Sequence, residues 1–378
     1  MKRIGFIVNP VAGMGGRVGL KGTDGVLEEA LRRGARPVAQ SRAKKALERL
    51  NGRKADLVVV TSSGEMGENV LEDLNFPTYF IVHHPKKKTS SLDTRRTCEI
   101  FLGEDIDMIL FCGGDGTARD VYEVIGNKIP IIGIPAGVKM FSGVFSINPQ
   151  SISKLITKFL DNQVQIREAE IMDIDEEMYR QNNFDIKLFG YAKTIYVPNL
   201  VQKRKFTFQS ENEDESKRDI SYFIRELMKD DTLYILGAGT TTKSIADLIG
   251  IKKTLLGVDL VKDEKLVARD VCERDILAHI EGEDAKIVVS PIGAQGFVFG
   301  RGNQQISAKV IKKVGAENII IIATPYKLSQ SPHLLVDTGD EELDRTLSGY
   351  KTIVCGDRMA QRKKIIGGDP FREVQILR

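Results

Sequence analysis

The feature that most restricts what this chain can fold into is the alternation, through its first third, of short unbroken apolar runs with amphipathic stretches. RIGFIVN (3–9), DLVVVTS (56–62), TYFIVHH (78–84), DMILFCGG (107–114) and IPIIGIPAG (129–137) are spaced by helix-compatible segments such as GVLEEALRRG (25–34). Strands covered on both faces read as continuous β-branched runs, and parallel neighbours need a crossover between them, so the pattern predicts an α/β fold opening with a doubly wound parallel sheet. In such sheets ligands gather outside the carboxyl ends of the strands. A helix over SISKLITKFLDN (151–162) closes the pattern, and from Val164 to Val201 shorter alternating segments, IMDIDEE (171–177) and FDIKLFGYAKTIYVP (184–198), predict antiparallel β-structure. The dense charges of KRKFTFQSENEDESKR (203–218) read as a solvated loop or hairpin tip. Strand-like runs return at TLYILG (232–237), TLLGVDLV (254–261), KIVVSP (286–291) and NIIIIATP (318–325), with helices between them.

These shifts suggest an N-terminal α/β nucleotide-binding domain over residues 1–162, a β-rich or mixed domain with further α/β elements over 163–348, and a C-terminal segment, 349–378, that is a candidate to return to the first domain. A formal charge of +3 over 378 residues gathers neither nucleic acid nor anionic lipid, so any anion site must be local. Cys98, Cys112, Cys272 and Cys355 lie far apart with no CxxC spacing, which points to a reducing compartment and no structural zinc. MKRIGFIVNP breaks at Pro10, too early for a signal-peptide core, and no apolar run approaches membrane-spanning length, so the expectation is a cytoplasmic protein with no membrane partner.

Chemistry concentrates at three glycine-rich turns. In DMILFCGGDGTARDVYEVIG (107–126) an apolar strand ends in Gly113, Gly114, Asp115, Gly116 and Thr117 before a helix. Three glycines let a backbone approach a ligand closely, and a helix amino terminus aims N–H groups and partial positive charge at an anion. An aspartate in a phosphate cradle repels the phosphate unless it meets a divalent cation or takes a proton from a hydroxyl, which marks Asp115 for one of those roles; an ordinary turn with Asp115 as N-cap is the plainer reading. The second turn, TLYILGAGTTTKSIADLIG (232–250), brings Gly237, Gly239, Thr240 and Thr241 to a helix start. Against the P-loop pattern it puts Thr242 where the second glycine belongs, which disfavours a P-loop although Asp259 ends an apolar run like a Walker B ligand. The third, SPIGAQGFVFGRGNQQIS (290–307), mixes Gly293, Gly296, Gly300 and Gly302 with Gln295, Arg301, Asn303 and Gln304, donors and acceptors suited to a base edge and a phosphate. His83 and His84, beside the lysines at 86–88, read as surface residues with no carboxylate partner evident.

GGDGT at a strand-to-helix turn resembles the signature shared by NAD kinases, diacylglycerol kinases and sphingosine kinases. IPIIGIPAGVKMFSGVF (129–145) resembles the strand and loop that follow it in NAD kinases, and NPVAGMGGRVGLKGTDG (9–25) resembles the turn that opens the nucleotide site. GAGTTTKSIAD (237–247), SPIGAQGFVFGRGNQQIS and VDTGDEELDRTLSGY (336–350) are similar to the branch of predicted ATP- or polyphosphate-dependent NAD kinases that includes acetoin-catabolism-associated proteins.

The resemblance implies phosphoryl transfer from ATP, or polyphosphate, to the 2′-hydroxyl of NAD, giving NADP, with magnesium or another divalent cation and with Asp115 engaging that hydroxyl as general base. It implies nucleotide contacts from Asn9, Gly13, Gly15, Gly16, Gly113, Gly114, Gly116, Thr117, Gly137, Gly237, Gly239, Thr240, Thr241, Gly296, Arg301 and Asn303, assigns no metal ligand, and suggests a homodimer or homotetramer. The Asn-Glu pair that holds the acceptor in NAD kinases is not found; Asp173 and Asp175, two apart on one strand face, are the nearest candidates. A lipid or other small-alcohol kinase and a non-catalytic nucleotide-binding regulator are the competing readings.

Overall fold

The computed structural model describes residues 1–20, 25–86, 88–137, 140–174, 186–197, 200–201, 211–228, 231–292 and 296–368. The chain divides into two compact units, Met1–Gly15 with Gly22–Arg204, and Gly16–Lys21 with Lys205–Arg378. Its class is α/β.

In the first unit the apolar runs become β1 (Lys2–Val8), β2 (Leu57–Ser62), β3 (Tyr79–His83), β4 (Met108–Gly113) and β5 (Ile131–Pro135). They form one sheet in the order β3-β2-β1-β4-β5, with every neighbouring pair parallel. Every residue of β4 and β5 is buried, the physical reason those segments contain no alternation. Helices α1 (Leu27–Arg32), α2 (Ala39–Leu47), α3 (Glu68–Asp73), α4 (Ser91–Phe101), α5 (Asp115–Ile125) and α6 (Gln150–Leu160) accompany the strands. The order reverses between β1 and β4, so the crevice outside their carboxyl ends is the topological switch point where open α/β sheets bind ligands.

The alternating stretch after α6 is an antiparallel hairpin of β6 (Gln165–Ile174) and β7 (Ile186–Tyr196), paired from Gln165↔Tyr196 to Ile174↔Ile186. Ala169, Ile171 and Ala192 point into the core that also holds Ile7, Phe111, Val121 and Phe145. The hairpin therefore belongs to the first unit, and the break expected near 162 is displaced to about 204: period-two polarity identified its structure but carried no information about which core its apolar face joins.

The second unit begins with α7 (Glu211–Leu227) and continues through β8 (Leu233–Leu236), α8 (Thr240–Leu248), β9 (Asp259–Lys262), β10 (Lys265–Ala268), α9 (Glu273–His279) and β11 (Ala285–Val289). It ends with β12 (Phe297–Phe299), α10 (Ala308–Val314), β13 (Ile319–Ile321), α11 (Pro325–Gln330), β14 (Leu334–Val336), α12 (Glu341–Leu347), β15 (Gly349–Gly356) and β16 (Met359–Gly367). One sheet has the order β10-β9-β8-β11-β13, with β8, β11 and β13 parallel and β9 and β10 antiparallel; a second has the order β12-β14-β16-β15. Ile235, Val289, Phe299, Ile311, Leu334, Ile353 and Ile365 share one core.

Two expectations change here. The C-terminal segment does not join the first unit: β15 and β16 pair antiparallel and β16 lies beside β14 in the second, while residues 369–378 lie outside the described residues. The charged stretch 203–218 is not all loop, because its part from Glu211 onward starts α7. Lys217 pairs with Glu213 and Asp214 one turn back, and Ile220 and Ile224, four apart, are fully buried. The helical stripe begins only where the charges end, and so escaped a reading based on apolar period. Residues 203–210 of that stretch lie outside the described residues. Among the described residues no helix is long and apolar enough to cross a membrane.

Candidate active site

The β4–α5 turn lies at the switch point of the first sheet. A Cβ on Gly113 would sit 2.3 Å from Thr117 Oγ1, so only glycine lets the helix start this close to its strand. Asn9, just past β1, donates its Nδ2 to Thr117 Oγ1 at 2.9 Å, and its Oδ1 accepts the Val11 N–H at 3.3 Å. The Gly113 carbonyl accepts the Ala136 and Gly137 N–H groups at 3.0 and 3.1 Å. Thus Asn9, Gly113, Thr117 and Gly137, spread over more than a hundred residues, meet at the ends of three adjacent strands. No side chain caps α5, leaving its amino terminus with the anion preference of a bare helix start.

Gly13 has φ +79°, and a Cβ there would lie 1.9 Å from the Ala136 carbonyl oxygen. Gly13→Ala is expected to cost about 1–2 kcal/mol from backbone handedness alone, with the clash added. A thermal melt checks this: an unchanged midpoint would mean that the loop after β1 is not held against β5. Gly15 is buried in the first unit, whereas Gly16 is grouped with the second, where a Cβ on it would meet the Gln304 side chain at 2.9 Å. The expected single loop of Asn9, Gly13, Gly15 and Gly16 is therefore shared between units.

Asp115 is 6% exposed. Its Oδ2 accepts the Phe141 N–H at 2.5 Å and its Oδ1 accepts the Ser142 N–H at 2.9 Å. Ser142 in turn is held by β6: its Oγ donates to the Met172 carbonyl at 2.9 Å and lies 3.0 Å from the Met172 N–H. The carboxylate thus fixes the loop after β5. Phe141 and Ser142 were not singled out from sequence, because backbone N–H groups carry no residue-type signal.

In the second unit, Gly237, Gly239, Thr240 and Thr241 form the β8–α8 turn. Gly239 has φ +125° and stands at the N-cap, again without a side-chain cap. Thr242 is fully buried, with its Oγ1 2.6 Å from the Gly237 carbonyl and 3.0 Å from that of Gly239, while exposed Lys243 pairs with Asp247 at 2.6 Å. This lysine is engaged on the helix surface, as a P-loop lysine is not. Asp259 is also no Walker B ligand: it is fully buried, accepts the Thr254 and Asp270 N–H groups at 2.6 Å each, and lies 3.7 Å from Lys253.

Of the third loop, Gly293 and Gln295 lie outside the described residues. Gly296 (φ +72°) lies between Ser331 and His333. Arg301 is 3% exposed with its guanidinium 4.2 Å over the Phe297 ring, and Asn303 is tied into the loop by Nδ2 to the Val298 carbonyl (2.8 Å) and Oδ1 to the Gly300 N–H (3.2 Å). The Asn303 amide is therefore occupied by the loop's own backbone. Asp173 is bound by Arg119 of α5 at 2.6 Å, which explains its place on the strand face without a ligand; Asp175 lies outside the described residues. His83 does have a carboxylate partner, Asp93, at 3.1 Å, brought by the first turn of α4 from ten residues away. Burial pushes the Cys98 and Cys112 thiols up to about 12, which leaves both inert. Among the described residues no three His, Cys, Asp or Glu side chains gather as a metal-holding group.

These features define an α/β protein with an open parallel sheet and a glycine turn with a buried aspartate at its switch point, where such sheets take their ligands. The family model for the ATP-NAD kinase N-terminal domain matches residues 4–164, and that for the ATP-NAD kinase C-terminal domain matches residues 229–364. The chain belongs to the NAD kinase family. A solved structure of a diacylglycerol kinase from Bacillus anthracis str. Sterne aligns at 17% identity with a TM-score of 0.24, covering 46% of this chain and 46% of that one. A second structure from the same organism aligns at 16% identity with a TM-score of 0.25 and the same coverage, so the chain spans less than half the length of these structures. No curated protein matches the sequence.

Proposed function

We propose that the chain transfers a phosphoryl group from ATP to the 2′-hydroxyl of NAD, forming NADP. The observation that carries the reading is the placement of Asp115: a carboxylate inside a glycine turn, at the switch point of a parallel sheet, in a chain of the NAD kinase family. The N–H groups of Phe141 and Ser142 orient the carboxylate, and the ribose hydroxyl's proton would pass to Asp115 as the hydroxyl oxygen attacks the terminal phosphorus of ATP and the bond from that phosphorus to ADP breaks, releasing ADP. The uncapped start of α5 would hold phosphate oxygens by its N–H groups, as would the Gly237–Thr241 turn in the second unit.

Magnesium fits the donor set only as an ion carried mainly by substrate phosphates and water. It usually takes one or two protein carboxylates, and Asp115 is the one at this turn. When bound it would neutralise phosphate charge. The acceptor, the donor and a homodimeric or homotetrameric, cytoplasmic enzyme remain parts of the same proposal.

The test is NADP formation by purified protein with NAD and magnesium, comparing ATP with polyphosphate. Turnover with ATP is the expected result; turnover with polyphosphate alone would replace the donor, and tight NAD binding without turnover from either donor would favour the regulator reading.

A further inference from the structure

The second unit holds a cluster of side chains that no motif reading joined. Thr241 follows β8, Ser290 follows β11, and Lys327 stands in α11 beyond β13, so the three come from the carboxyl ends of three adjacent parallel strands. Lys327 Nζ lies 3.3 Å from Thr241 Oγ1 and 3.2 Å from Ser290 Oγ, and the two hydroxyls are 3.5 Å apart. Thr324, the N-cap of α11, accepts the Lys327 N–H at 3.3 Å and sets the direction from which the lysine enters. Thr241 and Ser290 are buried. Among the described residues no carboxylate forms an ion pair with Lys327, so this sequestered ammonium has two neutral hydroxyls as its partners.

Three further observations converge on the same spot. The order of this sheet also reverses, between β8 and β11, so Thr241 and Ser290 flank a second switch point. No side chain caps α8, and the N–H groups of Thr240, Thr241 and Thr242 find no acceptor among the described residues. Open space lies at the turn, because a Cβ on Gly239 would meet nothing within 4 Å. A lysine and a helix amino terminus add positive potential that two hydroxyls cannot cancel, whereas one anion would satisfy both.

We propose that Lys327 Nζ, Thr241 Oγ1, Ser290 Oγ and the first N–H groups of α8 form a phosphate-binding subsite that takes a tetrahedral phosphoryl group. This deepens the reading of the Gly237–Thr241 turn given above, adding the cation and the hydroxyl that the motif lacks. Burial pushes the Lys327 ammonium down to about 8, opposed by Glu213 and assisted by Lys217, both of α7. The anion prefers the protonated lysine, so affinity is full below about pH 8 and falls as the pH rises through that value.

The experiment is calorimetric titration of the full chain with sulfate, a phosphate stand-in of constant charge from pH 7 to 9.5. Wild type should bind, with affinity declining above about pH 8. Lys327→Met should weaken binding by about tenfold or more, Lys327→Arg should restore part of it, and Lys243→Met, on the exposed ion pair, should leave it unchanged. Should Lys327→Met fail to fold, Thr241→Val and Ser290→Ala carry the same test, each expected to weaken binding. Competition of sulfate by ATP or by tripolyphosphate separates a nucleotide source of the phosphate from an inorganic one. Absence of sulfate binding, equal affinity in Lys327→Met, or a flat pH profile would overturn the subsite. Sulfate binding in a protein that makes no NADP would uphold the subsite while sinking the kinase reading.

Discussion

Asp115→Asn is expected to lower NADP formation by about 10²–10⁴-fold, the usual contribution of a positioned general base. An amide keeps the shape of the side chain but loses the basicity that takes the hydroxyl proton. It also replaces one of two acceptors by a donor: with Phe141 and Ser142 both presenting N–H groups to the carboxylate, one of them would face an NH2 group. The variant is therefore expected to lose about 1–3 kcal/mol of stability as well. Activity is to be measured where circular dichroism shows the variant folded, together with NAD affinity. Loss confined to kcat supports the base role; loss of NAD affinity alone assigns Asp115 to shaping the 141–142 loop; wild-type turnover in folded protein removes it from the chemistry.

The second large effect is on stability. Asp259→Ala should destabilise the second unit by about 3–5 kcal/mol, because it strands a buried cation and the buried Thr254 N–H and removes the acceptor of the Asp270 N–H. Asp259 and Lys253 are both fully buried, 3.7 Å apart, and Lys253 donates to the Thr254 and Gly257 carbonyls at 2.7 and 3.1 Å. Burial pushes the Lys253 ammonium down to about 8, against the pull of Asp259. Lys253→Met removes the charge while filling similar volume, so it should cost less than Asp259→Ala. Urea unfolding of both variants decides the matter: an Asp259→Ala midpoint equal to that of wild type would show that the buried pair contributes nothing, and a loss of turnover at unchanged stability would return Asp259 to a catalytic role.

Much of the fold was legible because burial on both faces of a parallel strand leaves a trace in every residue. Strands β1, β2, β4 and β5 follow that rule over most or all of their length, whereas β3, at one edge of the sheet, is apolar in sequence but has no fully buried residue. The GGDGT turn was legible for a related reason: a helix starting this close to its strand tolerates no Cβ at Gly113. The β6–β7 hairpin was legible as structure but not as to membership, since alternation reports that a face is buried and not what buries it. The helical start of α7 stayed hidden behind solvated charges.

At the sites, the sequence by itself determined which local segments could cradle an anion, because glycine tolerance and helix initiation are properties of a few neighbouring residues. Only the tertiary structure decided what meets them. It placed the N–H groups of residues 141 and 142 on Asp115, paired Asp173 with Arg119 and His83 with Asp93, sealed Asp259 against Lys253, and carried Lys327 from beyond β13 to Thr241 and Ser290. The reason is that hydrogen bonds and ion pairs act over a few ångströms, while the partners here are separated along the chain by between six and eighty-six residues. Strand order, which no local pattern encodes, sets which of them arrive at the same strand ends.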